Sequence, residues 1–199
     1  AAVDCQITSN TYSYVFCGDS VGDVTLWNTP EGNMVCALPA PVKSETKQAG
    51  NKGRIVVSMK ATVARVTNSF VTTVIAGFMD GRVVVWHADS SEGNPDVSVH
   101  VRGSFAYGSL SAVRAIAAAS WQRPYVRMIA FGRDDSTIQL WELPLLPQSN
   151  ALELQDAPAS KQSSGWKKVL KGHEGAITAL KIDLTKVTSA SMDGTVKLW

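Results

Sequence analysis

Cysteine, long apolar runs and an excess of charge of one sign are all scarce in this chain of 199 residues. The three cysteines, Cys5, Cys17 and Cys36, are odd in number and lie within apolar or strand-like segments, so a disulfide framework is not expected. Reduced thiols favour a cytoplasmic or nuclear protein. No pair among the cysteines and histidines has the spacing of metal ligands, so we expect no metal site.

No apolar run is long enough for a membrane-spanning helix, because Arg114 interrupts the most apolar stretch, 112–119. We therefore expect no membrane partner. The 19 basic and 17 acidic residues give a net charge of +2, which is too close to balance to indicate a nucleic-acid surface by itself. Any basic patch must be local.

Catalytic patterns are missing as well. No glycine-rich segment carries the lysine of a phosphate-binding loop, and we expect no cofactor. Asp134 and Asp135 are adjacent, but at a predicted turn their carboxylates more readily accept backbone hydrogen bonds than act as an acid and a base. The sequence therefore predicts a protein that is not an enzyme.

What the chain does contain is a repeated unit. Four apolar segments end in tryptophan after a tight polar turn, at Trp27, Trp86, Trp141 and Trp199. The spacings between them are 59, 55 and 58 residues. A supersecondary unit that recurs at a nearly constant period is typical of architectures in which repeated units share one core. Such proteins commonly carry their function on loops and surfaces.

Residues typical of strands dominate the segments between the turns, and the sequence predicts an all-β fold. We expect fifteen strands in four groups, the last group one strand short: about 1–8, 12–18, 23–28 and 33–38; 54–66, 70–77, 82–87 and 97–102; 110–119, 125–131, 137–142 and 166–170; 176–183, 186–191 and 195–199. Residues 143–165, which carry Pro, Ser and Gln, are predicted to be a flexible loop.

The last thirty residues resemble a WD repeat, the unit of WD-repeat β-propellers. The resemblance rests on the pair Gly172 and His173, the turn Asp193 and Gly194, and the strand that ends at Trp199. It implies a structural hydrogen-bond set formed by His173, Ser189, Asp193 and Trp199. It also implies that this Ser, His and Asp are not a catalytic triad.

The other three units match the repeat less fully. The second keeps Asp80, Gly81 and Trp86 but has Ala76 where the serine would stand. The third has Phe131 at that position and Ser136 in place of the glycine, and the first has Cys17 for the serine and Val21 for the aspartate. Only the fourth unit carries the whole set.

The resemblance implies one β-propeller region over residues 1–199, built from four-stranded antiparallel blades. The approximate blades are 1–40, 54–103, 110–170 and 171–199, the last of them incomplete. Members of this family more often have seven blades, so we expect the four visible blades to be part of a larger propeller. A sheet edge left exposed near Trp199 would otherwise be unusual.

The favoured function is a non-catalytic scaffold or adaptor that binds other proteins within a multi-subunit complex. Two groups of candidate contact residues, on opposite faces of the propeller, are rich in aromatic residues and arginine. The first group is Phe78, Phe105, Tyr107 and Arg133, and the second is Trp121, Arg123 and Tyr125.

Two alternatives remain open at this stage. The chain could be the substrate-recognition subunit of a ubiquitin ligase, although no Trp-Asp-x-Arg box follows any of its repeats. It could also be an RNA-binding propeller of a ribonucleoprotein that uses Lys43, Lys47, Lys52 and Arg54, although a solvated basic face is the more common meaning of such a cluster.

Overall fold

The computed structural model describes residues 3–8, 13–38, 55–66, 69–91, 97–106, 111–119, 128–142, 166–183 and 185–199. Within these ranges the chain forms fifteen strands. They are β1 (Val3–Thr8), β2 (Ser13–Gly18), β3 (Val24–Asn28), β4 (Asn33–Ala37), β5 (Val56–Val66), β6 (Ser69–Phe78), β7 (Arg82–Ser91), β8 (Val97–Ala106), β9 (Val113–Ala119), β10 (Met128–Arg133), β11 (Ile138–Glu142), β12 (Trp166–Leu170), β13 (Ile177–Ile182), β14 (Val187–Ser191) and β15 (Val196–Leu198).

The strands form four antiparallel sheets in chain order. Sheet 1 contains β1 to β4, sheet 2 contains β5 to β8, sheet 3 contains β9 to β12 and sheet 4 contains β13 to β15. Each sheet is a meander, because every strand pairs with the strand that precedes it in the sequence. The fifteen predicted strands and the all-β class are confirmed. The Ala-rich segment before residue 120 is the first strand of sheet 3, as expected.

The first strand of each sheet lies against the first strand of the next. β1 contacts β5, β5 contacts β9, and β9 contacts β13. The sheets therefore stack side by side around their first strands. The Trp of each repeat is on the third strand of its sheet, or directly after it in sheet 4.

Three apolar clusters fill the spaces between neighbouring sheets. The cluster between sheets 1 and 2 includes Phe16, Leu26 and Trp86, each about 2% exposed. The second cluster joins sheet 2 to sheet 3, and the third joins sheet 3 to sheet 4. Alternate residues of β7 enter different clusters, which explains why Val83, Val84 and Val85 are all buried in an unbroken apolar run.

A glycine at the end of the second strand sets how closely each sheet approaches the next. A Cβ atom on Gly18 would lie 2.6 Å from Val56 Cγ1, and one on Gly77 would lie 2.5 Å from Val113 Cγ1. A Cβ atom on Gly132 would collide with Ile177 in the same way. The three contacts are equivalent, since Val56, Val113 and Ile177 each begin the first strand of the following sheet.

Polar contacts reinforce these junctions. The Val56 amide donates to the Asp19 carbonyl at 3.2 Å, and the Ser58 hydroxyl donates to the Val113 carbonyl at 2.7 Å. The glycine contacts and these hydrogen bonds place the turns that follow the second strands at one end of the stack, beside the starts of the first strands.

Candidate functional site

The histidine of the fourth repeat lies at the centre of a chain of side-chain hydrogen bonds. His173 Nδ1 is 2.8 Å from Asp193 Oδ2, and His173 Nε2 is 2.8 Å from Ser189 Oγ. Trp199 Nε1 donates to the same Ser189 oxygen at 2.9 Å. With a proton on Nδ1, the imidazole donates to the carboxylate and accepts from the serine hydroxyl, so every polar atom of the chain has a partner. The structure thus brings together all four residues that the resemblance implied.

The side chains of this network are not accessible to a substrate. The His173 side chain has no exposed surface and Ser189 is 1% exposed, and the ring of Trp199 lies with its centroid 6.0 Å from that of the imidazole. The serine oxygen already accepts the indole N–H, whereas a nucleophile needs an open approach and a base waiting for its proton. The arrangement can hold β13, β14 and β15 together, and it leaves no room for a substrate.

Asp193 also organises the turn between β14 and β15. Its carboxylate accepts hydrogen bonds from the Thr195 hydroxyl at 2.6 Å, the Thr195 amide at 2.8 Å and the Glu174 amide at 3.0 Å. The hydroxyl of Thr195, then the Glu174 amide, and then His173 lower the pKa of Asp193 far below its usual 3.8. The carboxylate is therefore ionised over the whole physiological range.

An aspartate also holds the backbone in each of the other three turns. In sheet 1, Asp19 accepts hydrogen bonds from the backbone amides of Val21, Gly22 and Asp23. Partial burial would raise the pKa of Asp19, but these amides outweigh it and lower the pKa. Sequence comparison with the fourth repeat put the aspartate position at Val21, so it missed Asp19. The pattern Asp-x-x-Gly-Asp, typical of a side-chain-capped turn, was the available signal.

In sheet 2, Asp80 accepts from the Arg82 amide at 3.1 Å and from Arg82 Nε at 2.6 Å. In sheet 3, Asp135 accepts from the Thr137 amide and hydroxyl. Carboxylates thus fix the backbone in all four turns. We call the surface formed by the turns 19–23, 79–81, 134–137 and 192–195 the turn face.

Residues 166–199 match the family model described as WD domain, G-beta repeat. This segment of the chain is a WD repeat. The four sheets of the chain are blades of a β-propeller, and His173, Ser189, Asp193 and Trp199 lie in the matched repeat.

The chain is similar to a WD-repeat protein along 65% of its length. It is 26% identical over 133 residues to Mitochondrial division protein 1 of Vanderwaltozyma polyspora, a match that covers 65% of this chain and 16% of that protein. The chain therefore spans a small part of this relative's length.

Solved structures show the same fold. A chain of Chaetomium thermophilum Polycomb Repressive Complex 2 bound to GSK126 aligns with all of this chain at a TM-score of 0.65 and 14% identity, over 39% of its own length. The RRP9 WD40 repeats align with 94% of this chain at a TM-score of 0.56 and 15% identity, over 44% of their length. At such identities the likeness concerns the fold alone.

Two of the predicted contact residues are not at the protein surface. Phe78 is 2% exposed because it belongs to the cluster between sheets 1 and 2, and Arg82 covers its ring at 5.2 Å. Arg133 is 1% exposed. The prediction that these two residues lie exposed on a contact face is therefore wrong.

Arg133 instead links two blades from inside. Its guanidinium donates to the carbonyl oxygens of Ser111 at 3.1 Å and Gly81 at 3.2 Å, and to Gln139 Oε1 at 3.1 Å. Burial lowers the pKa of Arg133, but three acceptors around the charged group compensate its desolvation. A sequence does not show which carbonyl oxygens of a neighbouring sheet lack donors, so this role was not predictable.

The remaining predicted contact residues stay predictions. Phe105 lies in β8, where it pairs with Val83 of β7, and Tyr107 falls outside the described residues. Trp121, Arg123 and Tyr125 also lie outside them, as do the predicted flexible loop 143–165 and the basic residues Lys43, Lys47, Lys52 and Arg54.

The apolar side chains exposed on the turn face are not those of the predicted contact residues. Val21 is 61% exposed, Met79 is 37% exposed and Met192 is 76% exposed. Each of them projects from a turn whose backbone an aspartate holds. An apolar residue within an otherwise polar turn was the sequence signal for these positions.

An open cleft of about 350 Å³ lies between sheets 3 and 4, near the turn between β13 and β14. Leu140, Leu170 and Trp199 line it together with Lys168 and Asp183. The Asp183 carboxylate accepts the amides of Thr185 and Lys186, and the Thr185 amide is the main cause of its lowered pKa. That carboxylate is thus engaged in its own turn.

Among the residues that the structure describes, no three His, Cys, Asp or Glu side chains are grouped as metal ligands. Within the same ranges, no helix has the length and hydropathy needed to cross a membrane.

Proposed function

We propose that this chain is a non-catalytic WD-repeat scaffold that binds other proteins through its turn face, as a subunit or adaptor of a multi-subunit complex. The observation that carries the proposal is the combination of exposed Val21, Met79 and Met192 with turns that carboxylates already hold in place. Methionine is enriched at protein interfaces, and its flexible side chain adapts to a partner's surface.

Rigid turns favour binding. An interface loses less conformational entropy when the backbone that presents its contact residues is ordered before the partner arrives. The turn face meets this condition, because Asp19, Asp80, Asp135 and Asp193 each accept a backbone amide within their own turn.

The absence of catalysis is also part of the proposal. Among the residues that the structure describes, His173 has a serine and an aspartate beside its ring, as a catalytic triad would. Both ring nitrogens, however, are 2.8 Å from these partners in a buried network that a substrate cannot reach. The assembly of the similar protein in Polycomb Repressive Complex 2 supports a role within a complex, although that assembly belongs to the other protein.

The test compares proteins that co-purify with three forms of the chain from its source, measured by quantitative mass spectrometry after cross-linking. The double variant Met79→Asp and Met192→Asp places charges on the turn face. The control Met34→Asp makes the same chemical change at a residue that is 52% exposed on β4, away from the turn face. Circular dichroism and thermal unfolding verify that all three forms fold.

We expect a defined set of proteins to be recovered with the unaltered chain and with Met34→Asp, and to be lost with the double variant. Recovery of the same proteins with all three forms would place the binding surface elsewhere. In that case the predicted residues Phe105, Tyr107, Trp121, Arg123 and Tyr125 become the next positions to change. A chain that recovers no protein at all would contradict the scaffold role.

A further inference from the structure

The first strands of sheets 2, 3 and 4 carry positive charge only. Each of β5, β9 and β13 is an edge strand of its sheet, and β9 contacts both of the others. We call the surface formed by these three strands the inner wall. The strands contain Lys60, Arg65, Arg114 and Lys181 but no Asp or Glu. A surface that carries charge of one sign attracts ions of the opposite sign.

Two of the lysines lie at the same height on the inner wall, one in each of the sheets beside sheet 3. The first residues of β5, β9 and β13 are equivalent, since each lies against a glycine of the preceding sheet and the strand pairing shifts directly after it. Lys60, Ala117 and Lys181 each stand four residues further along the chain. The two lysines therefore flank an alanine, whose side chain takes up little space.

A pocket of about 110 Å³ lies between the three strands at this height. Its lining includes Lys60, Ile116, Ala117, Ala118, Leu180 and Lys181. The volume is well below the range for drug-sized ligands, which begins at about 300 Å³. The pocket therefore suits one compact group rather than a cofactor or a peptide chain.

Neither lysine has an acidic partner in the part of the chain that the structure describes. Lys60 and Lys181 are exposed, and no ion pair found there includes either of them. Arg114 differs, because Asp134 accepts hydrogen bonds from its Nε at 2.7 Å and its Nη2 at 3.1 Å. The two ammonium groups thus share one pocket without compensation, and an anion between them would relieve their repulsion.

The main chain of β9 adds donors to the two ammonium groups. β9 pairs with β10 along one side, and an edge strand presents alternate N–H groups on its other side. A phosphate group carries a charge of about −1.5 to −2 at neutral pH and several acceptor oxygens, so one such group can accept from both lysines at once. The long stem of lysine lets each ammonium turn towards the bound group.

We propose that the inner wall binds the phosphate group of a small anion in the pocket over Ala117, between Lys60 and Lys181. The site goes beyond the scaffold function and does not rest on it, because the pocket is formed by first strands and not by the turns.

The experiment follows the acylation of lysine side chains by an amine-reactive reagent, resolved by mass spectrometry, while inorganic phosphate is added at constant ionic strength. We expect phosphate to slow the modification of Lys60 and Lys181 along one saturable curve. Lys171, which is exposed and lies outside the inner wall, is the internal control and should react at a constant rate. Chloride at the same ionic strength should protect none of the three.

Two variants test whether the lysines act together. Lys60→Gln removes the charge and keeps much of the side chain, so it should weaken phosphate binding at least about fivefold, measured by the protection of Lys181. Lys181→Gln should have the same effect on the protection of Lys60. Lys168→Gln, at an exposed residue of β12, is the matched control and should leave both curves unchanged. Circular dichroism and thermal unfolding verify that each variant folds.

Any of three results would overturn the proposal. The first is equal reactivity of Lys60 and Lys181 with and without phosphate. The second is protection that chloride reproduces, which would mean screening of charge rather than a site. The third is protection that survives Lys60→Gln or Lys181→Gln, or that Lys168→Gln weakens as much. None of these results concerns the turn face, so the scaffold function is tested separately.

Discussion

His173 shows how a single side chain can carry the stability of a whole hairpin. It touches Asp193 through one nitrogen and Ser189 through the other, and Ser189 in turn accepts the Trp199 indole. Removing the ring would take the acceptor from the buried Ser189 hydroxyl and one donor from Asp193, and it would leave a cavity at a side chain with no exposed surface. Unsatisfied buried groups cost more than the hydrogen bonds themselves contribute.

We predict that His173→Ala lowers the free energy of unfolding by about 3 kcal/mol. Chemical denaturation followed by tryptophan fluorescence measures the change. Lys171→Ala, at an exposed residue two positions away, is the control, and its effect should stay within about 0.5 kcal/mol. Equal effects of the two substitutions would show that the network contributes little.

The Asp193 carboxylate predicts a stability change in acid. Its folded pKa lies below the usual 3.8, so it stabilises the fold above about pH 4 and loses that contribution as the pH falls towards the folded pKa. We expect the unaltered chain to lose more stability between pH 6 and pH 3 than Asp193→Asn does, measured by denaturation at each pH. Parallel curves for the two proteins would contradict this assignment.

Ser136 is in a left-handed conformation with φ of 64°, at the turn position that glycine occupies in the other sheets. Gly22, Gly81 and Gly194 have φ of 99°, 84° and 80° there. Because left-handed geometry is unfavourable for a residue with a Cβ atom, Ser136→Gly should stabilise the chain by about 1 kcal/mol. Thermal unfolding tests this, with Ser20→Gly as a control that should bring no stabilisation, since φ at Ser20 is not positive.

At the scale of the strand, the glycine at the end of β10 permits sheet 4 to lie against sheet 3. A methyl group on Gly132 would occupy the position of Ile177, which is fully buried and cannot retreat. We predict that Gly132→Ala lowers the free energy of unfolding by about 2 kcal/mol or more, through overpacking.

The matched control for Gly132 is Gly32→Asn. A Cβ atom added to Gly32 would have no neighbouring atom within 4 Å, and the φ of 68° at this position is one that asparagine tolerates. Denaturation of the two variants should therefore give clearly different midpoints. If Gly132→Ala left the unfolding midpoint unchanged, sheets 3 and 4 would be able to move apart without loss of stability.

Strands and repeats were predictable because their signals are local. The alternation of β2 and β3, the polar turns and the four tryptophans are visible in short stretches of sequence, and so is the histidine set of the fourth repeat. The positions of Phe78 and Arg133 were not predictable, because the surfaces that bury them belong to neighbouring sheets. In particular, the Gly81 carbonyl that accepts from Arg133 is 52 residues away.

At the scale of the whole molecule, the two central sheets differ from the two outer ones. Sheets 2 and 3 are packed on both faces by apolar clusters, whereas sheets 1 and 4 each contribute to one such cluster among the residues that the structure describes. Strands enclosed on both sides open only when the fold as a whole opens, but an outer sheet can open separately.

We therefore predict that backbone amides of β6, β7 and β10 exchange with deuterium much more slowly than those of β14 and β15. Hydrogen exchange followed by mass spectrometry measures the difference. Uniform exchange across the four sheets would show that the stack opens as one cooperative unit.

The order of the strands has a consequence for synthesis. Every sheet is completed by residues that are consecutive in the chain, and it then meets the next sheet to be made. Contacts of short sequence separation form quickly. As the chain leaves the ribosome, each blade can therefore be assembled before the following one has been synthesised. The glycine near the end of its second strand leaves the space into which the first strand of the next blade packs.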